Sequence, residues 1–344
     1  MPAILGEGSV QARCPGGIGG FTRRSLEDAP RARAWMENYI RWPIRLRGER
    51  ADLFHVVDQG LAWYARFLKG GKRLATIHDL IAWMTCRGKL GVPPLPIKRR
   101  PLIAECVRQI RKMDHLVSVS EHTASCLVGE LGIPAARITV VHNFVDDCFR
   151  PLSAEDRPRV RERWFGTAEH VVIHVGKPSA YKNRIGALKA FALLRRRLPE
   201  ARMFLVHRAP DTEESAFLKE SGCEGAVRFF PPVSKSELVE FYCAADVLVF
   251  PSLYEGFGWP PLEAMACGCP VVCTTRASLR EVAGDAALTV EDPHDRAALA
   301  EALHCVLTDA NTARDLRGRG LRRAKQFAPM VALAKVAEVY RSLV

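Results

Sequence analysis

Short apolar runs recur along the chain, spaced so that a helix fits between one and the next. The clearest, Val247–Phe250, is apolar throughout and is stopped by Pro251 and Ser252, the pattern of a strand buried on both faces of a parallel sheet. Similar runs stand at 52–57, 73–77, 115–119 and 138–141, and again at 171–175, 203–206, 227–229 and 286–290. Helical periodicity fills the gaps. Ser120 is placed to cap a helix ending at Leu131, Lys182 and Asn183 head one ending near Leu198, and Ser234 with Glu237 forms a capping box. Further helical segments cover 213–221, 295–307, 310–325 and 330–344. Strand and helix alternating in this order predict an α/β fold with parallel sheets. The charged, proline-bearing stretch 150–158 predicts a linker, dividing the chain into a first domain over 1–150, a second over 151–329 and a final helix over 330–344.

Two other helical segments are basic and amphipathic. Residues 31–50 carry Trp35, Met36, Tyr39 and Ile40 at helical spacing among arginines such as Arg41, Arg45 and Arg47, with Pro43 near a bend. In 97–113, Ile103, Cys106, Val107, Ile110 and Met113 share one side, while Arg108, Arg111 and Lys112 share the other. Each is read either as a helix packed on its own sheet with a solvated face, or as a contact with an anionic membrane surface.

Candidate chemistry gathers after Val247–Phe250. A loop holding Glu255, Gly256 and Gly258 leads to Pro260-Pro261, which open a helix that Gly268 and Pro270 stop. Glu263 is expected in its first turn. Two glutamates at a helix N-terminus, whose amides and dipole favour an anion, predict a site for a phosphorylated ligand. Lys177 and Lys182 flank the strand-to-helix turn after 171–175 and make a cationic clamp for phosphate. The glycine-rich run Gly16–Gly20 is a turn of the kind that lets backbone approach a diphosphate.

Composition narrows the class of protein. The 344 residues suffice for two domains, and 48% hydrophobic with 26% charged residues is ordinary for a globular chain. No apolar stretch is long enough to cross a membrane and the first residues lack a signal-peptide pattern, so a cytoplasmic protein is expected, peripheral on the inner face of the membrane under the membrane reading. Eleven cysteines, with no C-x-x-C pair or histidine at zinc spacing, indicate neither a disulfide framework nor a metal site. The formal charge of +12 favours phosphate-bearing partners without choosing among nucleotide sugars, lipid head groups and nucleic acid.

The stretch from Glu255 to Glu263, with GFGWPPL between, resembles the E-x7-E motif of retaining family 4 glycosyltransferases. The likeness continues through Ala264-Met265-Ala266, Gly268, Pro270–Val272 and Ser278–Val282. In the first domain TIHDL resembles the family's T-x-HD element, VSVSEHT its VSE element, and VHNFVD its V-x-NGVD element with Phe144 for the usual glycine. The run at Gly16–Gly20 resembles the glycine-rich loop after the family's first strand. Only residues 25–51 separate that loop from the next strand, so a strand and helix usual in the family are missing: the first domain is small or the start of the chain truncated.

The resemblance implies two Rossmann-like parallel-sheet domains facing a cleft (GT-B type), the first shortened. It implies transfer of a hexose, mannose among the candidates, from a GDP- or UDP-hexose to a glycan or lipid-linked acceptor with retention of configuration, needing no cofactor and no metal. On that pattern Glu263 binds the ribose, Glu255 holds the donor sugar, Lys177 and Lys182 meet the diphosphate, and Gly19, Gly20, Phe257, Gly258 and Trp259 belong to the donor site. His78 lies near the donor sugar and is catalytic with Glu255; His55 has a weaker claim, to the acceptor or to packing. Lys177 stands where the family has arginine. His207-Arg208 stand where it has glycines, altering the wall of the base pocket. The implied final helix returns to the first domain. An epimerase or phosphorylase on a similar fold, and a nucleic-acid-binding or scaffold protein, are the competing classes. Nucleic acid is not expected as a partner, because the aromatics of the basic segments sit at core spacing rather than interleaved on a binding face.

Overall fold

The structure, a computed structural model, describes residues 2–7, 19–23 and 36–344. Two compact units divide it: 1–142 with 332–344, and 143–331. The first change of unit precedes the linker expected at 150–158, because the second unit holds residues 143–149 by hydrogen bonds. Val145 N–H donates to the Phe327 carbonyl, Trp259 Nε1 donates to the Phe144 carbonyl, and Lys235 bonds Asp146 at 2.7 Å.

In the first unit six parallel strands form one sheet. They are β1 (Pro2–Glu7), β2 (Gly19–Arg23), β3 (Leu53–Val56), β4 (Lys72–Ile77), β5 (His115–Ser118) and β6 (Ile138–Val140), in the order β2-β1-β3-β4-β5-β6. The last four follow the apolar runs. β1 and β2 are additional, and Gly19 and Gly20, expected in a loop after the first strand, instead open β2 at the sheet edge, paired with Ala3 and Ile4. Backbone pairing along β1 overrides the turn preference of the two glycines. Gly16, Gly17, Ile18 and Trp35 lie outside the described residues.

One face of this sheet is closed by the helix Pro329–Leu343, where Val336, Val339, Tyr340 and Leu343 pack on Leu53, Leu74, Val117 and Val141. His55 belongs to this packing. Its Nδ1 lies 2.7 Å from Tyr340 Oη and its Nε2 2.8 Å from Thr76 Oγ1, and burial pushes its pKa down to about 4, with His78 adding to the shift. The basic helix Arg100–Ile110 buries Cys106, Val107 and Ile110 and exposes Arg108, as its pattern predicts. The other basic segment differs. Residues Glu37–Arg41 are wound as a π-helix running into the α-helix Trp42–Leu46, and only Pro43 and Leu46 are buried, while Met36, Tyr39, Ile40 and Ile44 are 41–61% exposed.

Six further parallel strands form the second sheet: β7 (Val171–Val175), β8 (Arg202–Val206), β9 (Val227–Phe230), β10 (Val247–Phe250), β11 (Val271–Thr274) and β12 (Leu288–Val290). Their order is β12-β11-β10-β7-β8-β9. Val247–Phe250 is wholly buried and central, as its composition predicts. The chain runs outward from β7 to β9, then jumps back to lay β10 on the other side of β7. The loops leaving β7 and β10 diverge there, which makes the gap between them the switch point at which open α/β sheets receive ligands.

Candidate active site at the β7–β10 switch point

One side chain from each diverging loop meets the other at this point. Lys182 Nζ donates to both carboxylate oxygens of Glu255, at 2.7 and 2.9 Å, with both residues under 10% exposed. The ammonium also lies 4.9 Å from the centre of the Phe250 ring at the end of β10.

Backbone clamps hold the two loops in register. Asn183, in left-handed conformation at φ 52°, donates through Nδ2 to the carbonyls of Pro251 and Pro293. Leu253 N–H donates to the Tyr181 carbonyl at 2.7 Å. On the far side of Glu255 the fully buried Ser278 hydroxyl lies within hydrogen-bonding distance of the carbonyls of Glu255 and Phe257. Buried polar groups that are satisfied in this way fix a single loop geometry.

Gly258 then turns the chain into the helix Trp259–Ala266 at φ 106°, where a Cβ would come within 2.7 Å of Leu279 Cδ2. The helix begins at Trp259, one residue before the expected start. Pro260 and Pro261 therefore occupy its second and third positions and contribute no N–H, so the helix start carries fewer amide donors than the sequence reading supposes. Glu263 correspondingly lies just past the first turn rather than within it. Phe257 is buried between Trp259 and Phe327, while Trp259 is 45% exposed.

The two glutamates are held by different partners. Tyr242 Oη donates to Glu263 Oε2 at 3.0 Å. Burial raises the Glu263 pKa, opposed by this hydrogen bond, and it pushes Tyr242 far above the ordinary tyrosine range. Glu255 is neutralised by Lys182. The arrangement offers one buried cation and one carboxylate with a second oxygen to give, and hydroxyls and phosphate oxygens are the groups such a pair recognises.

Lys177 is exposed at the carboxyl end of β7. His78 follows β4 in the first unit, where Nε2 lies 2.9 Å from the Val57 carbonyl and the backbone N–H donates to Gln59 Oε1. A carbonyl accepts only, so Nε2 is the donor in this contact. The sequence assigns no role in the site to Tyr242, Asn183 or Ser278. Each carried some signal, Tyr242 as a polar group inside an apolar helix face, Asn183 as a helix-head residue that tolerates left-handed backbone, and Ser278 as part of the Ser278–Val282 likeness to the family. His207 adopts φ 141°, a conformation glycine reaches without strain, which gives a physical reason for glycine at this place in the family pattern.

Among the described residues no cluster of three or more His, Cys, Asp or Glu side chains is arranged to hold a metal ion. No helix among them is long and apolar enough to cross a membrane.

Comparison with known proteins agrees with this geometry. Residues 156–323 match the family described as Glycosyl transferases group 1, and residues 8–148 match Glycosyltransferase Family 4. O-antigen chain mannosyltransferase B of Escherichia coli is 32% identical over 231 residues, covering 66% of this chain. The chain spans 60% of the length of that relative. A D-inositol 3-phosphate glycosyltransferase of Salinispora arenicola is 28% identical over 94% of this chain and 76% of its own. Among solved structures, Anabaena Alr3699/HepE in complex with UDP-glucose superposes with a TM-score of 0.74 at 18% identity, over 99% of this chain and 100% of its own. WaaG, a glycosyltransferase involved in lipopolysaccharide biosynthesis, superposes with a TM-score of 0.71 at 15% identity, over 98% of each chain. Two parallel-sheet units, a switch-point site built on the E-x7-E stretch and two family matches that between them take in nearly the whole sequence have one meaning: the chain belongs to the family 4 glycosyltransferases of GT-B fold.

Proposed function

We propose that the protein transfers a hexose from a nucleoside-diphosphate sugar to a hydroxyl of a glycan or lipid-linked acceptor, with retention of configuration. The observation that carries this reading is the buried Lys182–Glu255 pair at the switch point. A diphosphate leaving group gains negative charge as the glycosidic bond breaks, and a cation fixed in a low-dielectric site stabilises that charge without reorganising. Two of the Lys182 protons are given to Glu255, so the third is the donor for phosphate, with the exposed Lys177 as a second positive charge. The Lys182–Glu255 pair is neutral overall, so Lys177 brings the net positive charge and Lys182 a charge-assisted hydrogen bond to the phosphate; no metal is part of this reading. Glu263, engaged through Oε2 by Tyr242, has Oε1 for a ribose hydroxyl, and Glu255 holds the donor sugar. The leaving phosphate takes the acceptor proton on the face it departs from, which gives retention, and His78 assists the position or polarity of the acceptor.

Mannose is the first hexose to test, because the relatives include O-antigen chain mannosyltransferase B and the mannosyltransferase WbdA of Escherichia coli. Uracil stands beside guanine as a candidate donor base, because HepE binds UDP-glucose. Turnover should be measured on a panel of GDP- and UDP-hexoses with and without chelator, and the anomeric configuration of the product read by NMR. Retained product from one donor supports the reading; neither binding nor transfer with any of them overturns it.

A second surface bears on the acceptor. Met36, Tyr39, Ile40 and Ile44 face solvent among the exposed Arg41, Arg45 and Arg47, a mixture suited to an anionic lipid interface. Sedimentation with anionic vesicles, lost in neutral ones and at high salt, is the expected result. Equal sedimentation with both vesicle types would remove the membrane from the proposal.

A further inference from the structure

The first unit contains a cavity that the chemistry above leaves unused. Its volume is about 180 Å³, somewhat above the roughly 150 Å³ that accommodates a benzene molecule in an apolar protein core. Trp83, Leu102, Ile103, Val107 and Ile110 make its apolar wall, while Asp58, Gln59 and Asp79 bring polar groups to it. The polar residues directly follow strands β3 and β4, and ligands of open α/β sheets bind outside those carboxyl ends.

Several features favour a ligand site over a packing fault. The pocket is partly open to solvent, so a ligand can enter it, and its wall is mainly apolar. The indole N–H of Trp83, in the cavity wall, is buried and meets no hydrogen-bond acceptor, a situation native interiors avoid. The polar residues are tied to the candidate acceptor residue as well. Gln59 Oε1 accepts from the backbone N–H of His78, and Asp79 is its neighbour in sequence.

We propose that this cavity receives an apolar aglycone of the acceptor, an alkyl or aryl group on the order of six carbons next to the sugar, as the comparison with benzene suggests. The sugar hydroxyls face Asp58, Gln59 and Asp79, and an ether or ester oxygen at the junction takes the Trp83 N–H. The idea deepens the proposed transferase function and rests on it for the word acceptor. Free reducing sugars would leave the cavity unfilled. Acceptors whose first sugar is joined to a hydrocarbon would fill it.

The experiment is a chain-length series. Methyl, butyl, hexyl and octyl mannosides and glucosides, all below their micellar concentrations, are titrated calorimetrically into the intact protein without donor. Affinity should rise at least tenfold from methyl to hexyl and level off by octyl, once the pocket is filled. Ile103→Trp, which fills the space, should abolish the tenfold gain while nucleoside-diphosphate binding stays unchanged, and Trp83→Phe should retain the chain-length trend with weaker affinity throughout. Equal affinity of methyl and hexyl glycosides for the unmodified protein overturns the proposal, and so does a gain that survives in folded Ile103→Trp. Hexyl preference without transfer from any nucleotide sugar would leave the cavity assignment standing and sink the transferase reading. Transfer without chain-length preference would do the reverse.

Discussion

Lys182 and Glu255, distant in sequence, form a bidentate ion pair with both side chains nearly sealed from water. This changes what substitution at either residue tests. Lys182→Ala leaves a buried carboxylate without its ammonium, which is expected to destabilise the second unit by about 3–5 kcal/mol. The same change should weaken nucleoside-diphosphate binding by roughly 1.5–3 kcal/mol, the scale of a hydrogen bond to a charged group. Replacing both partners with apolar residues, as in Lys182→Met with Glu255→Leu, should restore most of the melting temperature and none of the transfer. A single alanine variant melting like the parent protein would show that the pair is not structural.

Gly258 is fixed by two independent constraints, a φ of 106° and the Leu279 side chain. Gly258→Ala should lose about 1–3 kcal/mol of stability, the range for a strained backbone position, and transfer should fall further than stability because the start of the Trp259–Ala266 helix must move. Thermal melting and turnover measured together check this; an unshifted melting temperature contradicts it.

Glu263 gives the second unit a pH dependence whose sign follows from burial. The raised pKa means that the folded chain holds a proton there to higher pH than the unfolded chain does. Its stabilising contribution is therefore fully present below the ordinary glutamate value of about 4.5 and is lost as pH climbs through the raised value. Glu263→Gln should flatten that slope. Tyr242→Phe, by removing the hydrogen bond that opposes the shift, should move the loss to higher pH. Superimposable melting curves for all three proteins would refute the assignment.

His55 works in the opposite direction. Its pKa falls from 6.5 to about 4, mainly through burial, so its contribution is complete above 6.5 and disappears as pH drops toward 4. The full linkage is about 3 kcal/mol at 1.36 kcal/mol per unit. Because the ring is bonded to Tyr340, acidification should first loosen the helix Pro329–Leu343. Lower protection factors in that helix at pH 5 than at pH 7, each taken relative to the intrinsic exchange rate at its own pH and the difference abolished in His55→Gln, are the expected observation; equal protection at both pH values would contradict it.

Much of this organisation is legible in the sequence. Apolar runs such as Val247–Phe250 can satisfy themselves only as buried parallel strands, and the capping box at Ser234 and Glu237 is present as its residue types predict. Glycines and prolines place the loop around Gly258 to within one residue. What the sequence withholds is pairing across long separations. Nothing local to Lys182 reveals that its charge is spent on Glu255, and nothing local to Glu263 reveals the Tyr242 phenol. Gly19 and Gly20 mislead for the complementary reason, since tertiary pairing with β1 decides their conformation.

The helix Pro329–Leu343 has a bearing on how the protein is made. Residues 143–331 are inserted within the first unit, whose remaining residues, 332–344, follow them in the chain. During synthesis the apolar patch of Leu53, Leu74, Val117 and Val141 must wait uncovered until Val339 and Tyr340 have left the ribosome. The inserted unit is complete before then and free to fold first. The early-made half of the molecule is thus the last to mature, and for that interval it presents a sticky face to chaperones and to other nascent chains.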